Sequence, residues 1–186
     1  MRKVNVLVTG RPGIGKTTLV MRVVEEIRNH GFKVGGFISR EERAGGSRIG
    51  FILIDLATGE QAYLARVGTG APRIGKYVVL VDNLKQLGVK AVIEAIGSAD
   101  LVVIDEIGPM ELLSQAFKRA VVQALDSPKP VLATVHYRAR DDPFGRALLS
   151  RDDYHMFTVT ENNRESLYLQ VAKLINASLR NGLHSF

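Results

Sequence analysis

Along the chain, short unbroken apolar runs alternate with stretches whose apolar residues recur every three or four positions. Val4–Thr9 is an apolar run closed by Gly10, the pattern of a buried strand. Lys16–Asn29 sets Val20, Val23, Val24 and Ile27 on one face, which predicts a helix with Gly31 as its C-terminal stop. Lys33–Ser39 reads as a second strand, so the chain opens β-α-β and a parallel sheet with a right-handed crossover is expected. Ile49–Leu56 and Gln61–Val67, joined by Ala57-Thr58-Gly59-Glu60, predict an antiparallel hairpin inserted at about residues 48–67. Tyr77–Val81 is another apolar run, and Gly88–Gly97 carries Val89, Val92, Ile93 and Ile96 at helical spacing.

The second half repeats the alternation. Leu101–Asp105 predicts a strand, Ser114–Leu125 a helix, Pro130–Val135 a strand and Met156–Thr160 another. Asn162-Asn163-Arg164-Glu165 resembles a capping box and predicts the start of a last helix through Leu179. Arg138–Asp153 reads as one long polar loop. The pattern predicts a three-layer α/β/α fold with a mainly parallel sheet over residues 1–186 as one domain.

Composition narrows the class without changing that picture. At 186 residues, 46% hydrophobic and 24% charged, the chain is an ordinary globular domain, large enough to need no staples. It has no cysteine, so disulfides, thiolate nucleophiles and Cys-based metal sites are excluded. No apolar run approaches the roughly 18 residues of a membrane span. Met1-Arg2-Lys3 starts like a signal n-region, but Asn5 and Gly10-Arg11-Pro12 interrupt it, and a cytoplasmic monomer is expected. Lys plus Arg exceed Asp plus Glu by 25 to 19, a formal charge of +6. That excess is spread along the chain, which permits a nucleic-acid partner without demanding one.

Gly10-Arg11-Pro12-Gly13-Ile14-Gly15-Lys16-Thr17 matches G-x-x-x-x-G-K-[ST] in full, with a strand before it and a helix after it. The glycines let backbone N–H groups approach phosphate oxygens, and the helix N-terminus adds donors and partial positive charge. Lys16 is expected on the β- and γ-phosphates, Thr17 on Mg²⁺, and Thr18 near the α-phosphate. Such a loop needs an acid at the end of a neighbouring strand. Leu101-Val102-Val103-Ile104-Asp105-Glu106 supplies it: Asp105 to hold Mg²⁺ and Glu106 to polarise the attacking water. Asp105-Glu106-Ile107-Gly108 also fits the D-x-x-G of GTP-binding switches, in which Gly108 senses the γ-phosphate; the chain has no N-K-x-D to read guanine.

The phosphate loop GRPGIGKTT, the segment GFISREERAGGSRIGFILIDL, IGKY at Ile74–Tyr77 and ADLVVIDEIGPMEL together resemble the THEP-type nucleoside-triphosphatases, also called cancer-related nucleoside-triphosphatases. The likeness runs from about Val4 to Thr134. It implies a RecA-like P-loop fold with an additional catalytic glutamate, and slow Mg²⁺-dependent hydrolysis of ATP, GTP, CTP and UTP. It implies nucleotide contacts at Gly10, Arg11, Pro12, Gly13, Ile14, Gly15, Lys16, Thr17 and Thr18, and at Leu101, Val102, Val103, Ile104, Asp105, Glu106, Ile107 and Gly108. Lys16 and Glu106 are the expected catalytic pair, and Thr17 and Asp105 the metal ligands. The chain departs from the family at His136, where Pro is common.

Other basic positions leave alternatives open. His136 ends a strand and can reach the γ-phosphate or the water. Arg138, Arg140 and Arg146 form either a lid with an arginine finger or a solvated loop. Arg40, Arg43 and Arg48 flank Gly45-Gly46 and can bind an anion or nucleic acid, although Glu41 and Glu42 dilute their charge. Against hydrolysis stand two other readings of the same loop: a nucleoside, nucleotide or polynucleotide-end kinase, and an accessory ATPase working on nucleic acid.

Overall fold

The computed structural model describes residues 3–183; the Met1-Arg2 start of the n-region reading lies outside them. Nine strands form one sheet. In chain order they are β1 (Asn5–Thr9), β2 (Val34–Ala44), β3 (Ser47–Asp55), β4 (Gln61–Val67), β5 (Arg73–Ile74), β6 (Tyr77–Val79), β7 (Leu101–Ile107), β8 (Val131–Val135) and β9 (His155–Thr158). The sheet order is β5-β6-β4-β3-β2-β7-β8-β1-β9. The β2–β7–β8–β1–β9 portion is parallel, and β2 through β6 continue it as antiparallel pairs.

Helices α1 (Lys16–Asn29), α2 (Val81–Asn83), α3 (Lys90–Ser98), α4 (Gln115–Asp126), α5 (Pro143–Leu149) and α6 (Leu167–Leu183) cover both faces. Alternation along each strand divides the core. Val6 and Val8 of β1, with Leu101 and Val103 of β7, pack on the α1 and α6 side; Leu7, Val102 and Ile104 pack on the α3 and α4 side. The fold is a three-layer α/β/α sandwich with a mixed, mostly parallel sheet.

Several expected boundaries move. β2 runs past Ser39 to Ala44 and turns at Gly45-Gly46, so the predicted hairpin becomes the outer part of a meander in the main sheet. Gly36 lies at φ 99°, and a Cβ there would stand 2.0 Å from the Val103 carbonyl oxygen, so only glycine lets β2 pair with β7 at this point. The helix expected from Gly88 begins at residue 81: α2 and a π turn over Leu84–Val89 lead into α3, driven by the buried Leu84 and Leu87.

The expected loop at 138–153 holds a 3₁₀ turn (Ala139–Asp141) and α5, which Asp142 caps through the Phe144 N–H at 2.7 Å ahead of Pro143 at the first helical position. The capping box at 162–165 does not form. Asn163 bonds backward to the Thr160 N–H and the Thr158 carbonyl, and α6 starts at Leu167. No helix among the described residues is long and apolar enough to cross a membrane.

Candidate active site

The carboxyl ends of β1, β7 and β8 converge on the N-terminus of α1. The loop leaves β1 at Gly10, turns through Gly15 at φ 112°, and enters α1 at Lys16. The first amides of α1 therefore have no partner within the helix and sit where its dipole is positive. Lys16 is only 8% exposed. Its Nζ donates to the Gly10 carbonyl at 3.0 Å and lies 3.5 Å from Glu106 Oε2.

Asp105 is enclosed, at 1% exposure. Thr17 Oγ1 donates to its Oδ2 at 2.7 Å, and Thr134 Oγ1 donates to its Oδ1 at 2.6 Å. Burial pushes this carboxyl up to about 6, against the two hydroxyl hydrogen bonds that favour its charge. Asp105 and Glu106 are consecutive, and a regular strand would send them to opposite faces. The β7–β8 ladder slips between Ile104 and Ile107, and both carboxylates line one cleft. Burial also raises the Glu106 carboxyl, with Lys16 opposing.

The cleft has a volume of about 590 Å³. Pro12, Gly13, Gly15, Lys16, Thr17 and Thr18 line it from the loop and α1; Asp105, Glu106 and His136 line it from β7 and β8. The Arg138 N–H donates to His136 Nδ1 at 3.2 Å, which leaves the ring proton on Nε2. Burial and the nearby Lys16 hold this imidazole below its ordinary value, so it is neutral near pH 7. Arg40, Phe51, Leu64 and Ile74 from the antiparallel strands line the far side.

Other sequence candidates fall elsewhere. Leu101, Val102, Val103, Ile104 and Ile107 are fully buried among the core layers. Their side chains carry Asp105 into place and do not line the cleft, a correction to contacts expected along the whole segment. Arg11 is exposed, and Ile14 packs against the α1-side core. Gly108 sits beneath two acids: a Cβ there would lie 2.9 Å from Glu106 Oε1 and 3.2 Å from Glu111 Oε2. Arg138, Arg140 and Arg146 do not line the cleft; Arg146 instead donates to the Arg140 carbonyl at 2.9 Å, and Arg138 pairs with Asp141 at 3.2 Å. Arg43 and Arg48 both pair with Glu41, at 2.9 and 2.7 Å.

Two site residues carry no motif. Thr134 is a polar residue inside Val131–Val135, and strand alternation sets it opposite Leu132's neighbours on the Asp105 side; that single hydroxyl in an apolar run is its only sequence signal. Glu111 stands in the 3₁₀ turn Glu111–Leu113 and lines the cleft. It is 4% exposed, and burial together with the Glu106 charge holds its carboxyl well above the ordinary value.

Comparison with known proteins gives the family. The family model described as NTPase matches residues 5–172. A nucleoside-triphosphatase THEP1 of Thermofilum pendens is 53% identical over 172 residues, covering 92% of this chain and 94% of that protein. The THEP1 of Methanocaldococcus jannaschii is 42% identical, covering 94% of this chain and 99% of its own length. Among solved structures, THEP1 from Aquifex aeolicus superposes with a TM-score of 0.81 at 28% identity, over 92% of this chain and 99% of that one. A human cancer-related nucleoside triphosphatase superposes at 0.80 with 36% identity, over 96% and 99%. A phosphate loop, a paired Asp105 and Glu106 and these relatives lead to one assignment: the chain belongs to the THEP1 nucleoside-triphosphatase family and is a P-loop hydrolase of nucleoside triphosphates.

Proposed function

We propose that this chain hydrolyses ATP, GTP, CTP and UTP to the diphosphate and phosphate, slowly and with Mg²⁺. The observation that carries the reading is the Thr17–Asp105 hydrogen bond of 2.7 Å beside the Lys16–Glu106 pair. It sets a pair of hard oxygen donors and a carboxylate base at one helix N-terminus. The donor set suits Mg²⁺, which binds through one or two protein oxygens with phosphate and water completing its shell. Bound there, Mg²⁺ would draw charge from the β- and γ-phosphate oxygens.

The chain's own groups then act by position and charge. Lys16 and the loop amides hold the β- and γ-phosphates. Glu106 takes a proton from the water as its oxygen adds to the γ-phosphorus, and the bond to the bridging oxygen breaks towards the diphosphate. His136, with its proton on Nε2, donates towards the γ-phosphate oxygens. Breadth of base follows from a loop that binds phosphate through backbone, with no N-K-x-D in the sequence. Slow turnover is expected with Arg138, Arg140 and Arg146 outside the cleft, Arg43 and Arg48 tied to Glu41 and Arg40 on its far side, since an arginine finger contributes about 10³–10⁵ in rate.

Phosphate release from the four triphosphates, with and without Mg²⁺, tests this with wild type beside Glu106→Gln. All four should turn over, chelation should stop release, and the variant should keep its nucleotide affinity while kcat falls by about 10²–10⁴. Unchanged turnover in Glu106→Gln would move the base to another residue.

A further inference from the structure

The cleft is longer than a triphosphate tail requires. On the reading above, the phosphates run from Thr18 to Glu106, and Lys16, 3.5 Å from Glu106, marks their terminal end. Beyond Glu106 the cleft continues over β2, β3 and β4, on the opposite side of β7 from the phosphate loop. A water nucleophile needs none of that space. Its lining is also of a different kind. Phe51, Leu64, Ile74 and Met110 give it an apolar floor, Arg43 and Arg48 paired with Glu41 make a charged but internally neutralised rim, and Arg40 brings an unpaired cation to its edge.

That apolar shelf is built before any ligand arrives. Phe51 meets Tyr77 edge to face at 5.2 Å, and the Arg48 guanidinium lies 5.1 Å from the Phe51 ring. Arg48 is itself held by Glu41 at 2.7 Å and by the Tyr77 hydroxyl at 2.9 Å. Arg40 differs from both neighbouring arginines. Its side chain has no ion pair or hydrogen bond among the described residues, and it is exposed at the cleft. A fixed flat shelf beside one unneutralised guanidinium suits a ring-bearing anion.

We propose that this half of the cleft binds a second substrate, a phosphorylated nucleoside with a free hydroxyl, and that the hydroxyl accepts the γ-phosphoryl group. The base ring lies against Phe51, Ile74 and Met110, and the phosphate meets Arg40. The hydroxyl oxygen forms a bond to the γ-phosphorus, its proton passes to the Glu106 carboxylate, and the bond to the bridging oxygen breaks with its electron pair leaving on the diphosphate. A hydroxyl fits better than a phosphate oxygen as acceptor. It has a proton for Glu106 to take, whereas a phosphate dianion has none and is repelled by that carboxylate. The proposal rests on the hydrolase reading of Lys16, Asp105 and Glu106, with water as the nucleophile when the shelf is empty.

The test incubates the full chain with γ-labelled ATP, Mg²⁺ and either the four nucleoside 3′-monophosphates, which offer a 5′-hydroxyl, or the four 5′-monophosphates. Label on the 5′-oxygen of a 3′-monophosphate, with free phosphate falling in proportion, is the expected result. Arg40→Met should then raise the acceptor KM about tenfold, the loss of one charge-assisted contact. Intact hydrolysis with no labelled acceptor overturns the second site and leaves the hydrolase reading standing. Label only on the phosphate of a 5′-monophosphate overturns the hydroxyl assignment. Transfer to a 5′-hydroxyl oligonucleotide but to no mononucleotide overturns the small-molecule site in favour of a nucleic-acid end. Neither hydrolysis nor ATP binding overturns both readings together.

Discussion

Thr134→Val isolates what holds Asp105. The substitution keeps the shape of the side chain and removes one hydroxyl, in a residue that is 0% exposed and donates to Asp105 Oδ1 at 2.6 Å. A hydrogen bond to a charged group contributes about 1.5–3 kcal/mol, and one pKa unit is about 1.4 kcal/mol. The Asp105 carboxyl, already pushed up to about 6, should therefore rise by roughly one to two further units in the metal-free variant. Metal ligation needs the ionised form and a fixed orientation, and losing an outer-shell partner lowers metal affinity about 10–100-fold. The assay is phosphate release against free Mg²⁺ at saturating ATP, at pH 6.5 and at pH 8.5. The midpoint should rise at least about tenfold at pH 6.5 and by less at pH 8.5, where Asp105 is ionised in both proteins.

Thermal unfolding without metal gives a second reading of the same bond. Because burial raises the folded Asp105 above its ordinary value of 3.8, the folded state binds more protons between about pH 4 and 6. This group therefore adds stability as pH falls through 6, by an amount on the order of 3 kcal/mol, and withdraws it as pH rises. In Thr134→Val the window should extend upward, so the variant should lose stability relative to wild type at pH 7 and recover it towards pH 5. An unchanged Mg²⁺ midpoint together with parallel stability curves would refute the idea that Thr134 orients Asp105.

Three further outcomes follow from other parts of the fold. Gly36→Ala places a Cβ 2.0 Å from the Val103 carbonyl at a positive φ, so β2 must part from β7; a loss of roughly 3 kcal/mol and a Tm drop of about 6–12 °C are expected by calorimetry. Arg146→Ala removes bonds to the Arg140 and Asp141 carbonyls at 2.9 and 3.3 Å and nothing in the cleft; kcat should hold within about twofold, and a hundredfold fall would restore an arginine finger. Arg151→Met leaves Asp126 and Asp153 without the guanidinium that bonds them at 2.7 and 2.6 Å. Arg151 holds the Asp153 carboxyl below its usual range, so the bridge stabilises above that range and is lost as pH falls. Denaturant titration should show the variant weaker by about 1 kcal/mol at pH 7 and level with wild type near pH 3.

What the sequence discloses depends on how local the determining physics is. The phosphate loop is local: Gly10 to Thr17 carry their function in one turn, and α1 begins and ends where periodicity and Gly31 indicate. Asp105 is nearly as local, since four apolar residues and a carboxylate mark a buried strand end. What the sequence leaves open depends on pairing. Nothing in Glu106 itself tells which face it takes; the β7–β8 ladder is irregular between Ile104 and Ile107, and there both Asp105 and Glu106 line one cleft. Thr134 and Thr17 sit 117 residues apart and act on one carboxylate only because β8 lies between β1 and β7.

The same logic separates three arginines of one segment. Arg40, Arg43 and Arg48 look equivalent along the chain, all within five residues of the Gly45-Gly46 pair. The β2–β3 register brings Arg43 opposite Arg48, with Glu41 bonded to both, and leaves Arg40 as the unpaired one of the three arginines that line the cleft. Charge composition would have assigned all three to one basic patch. Pairing commits Arg43 and Arg48 to Glu41 and leaves the Arg40 guanidinium unpaired, and a strand shift of one residue would turn these side chains to the other face. The site's chemistry is thus set by a short motif, while its second half is set by sheet register, which is why the nucleotide loop is legible at once and the far side of the cleft is legible only in three dimensions.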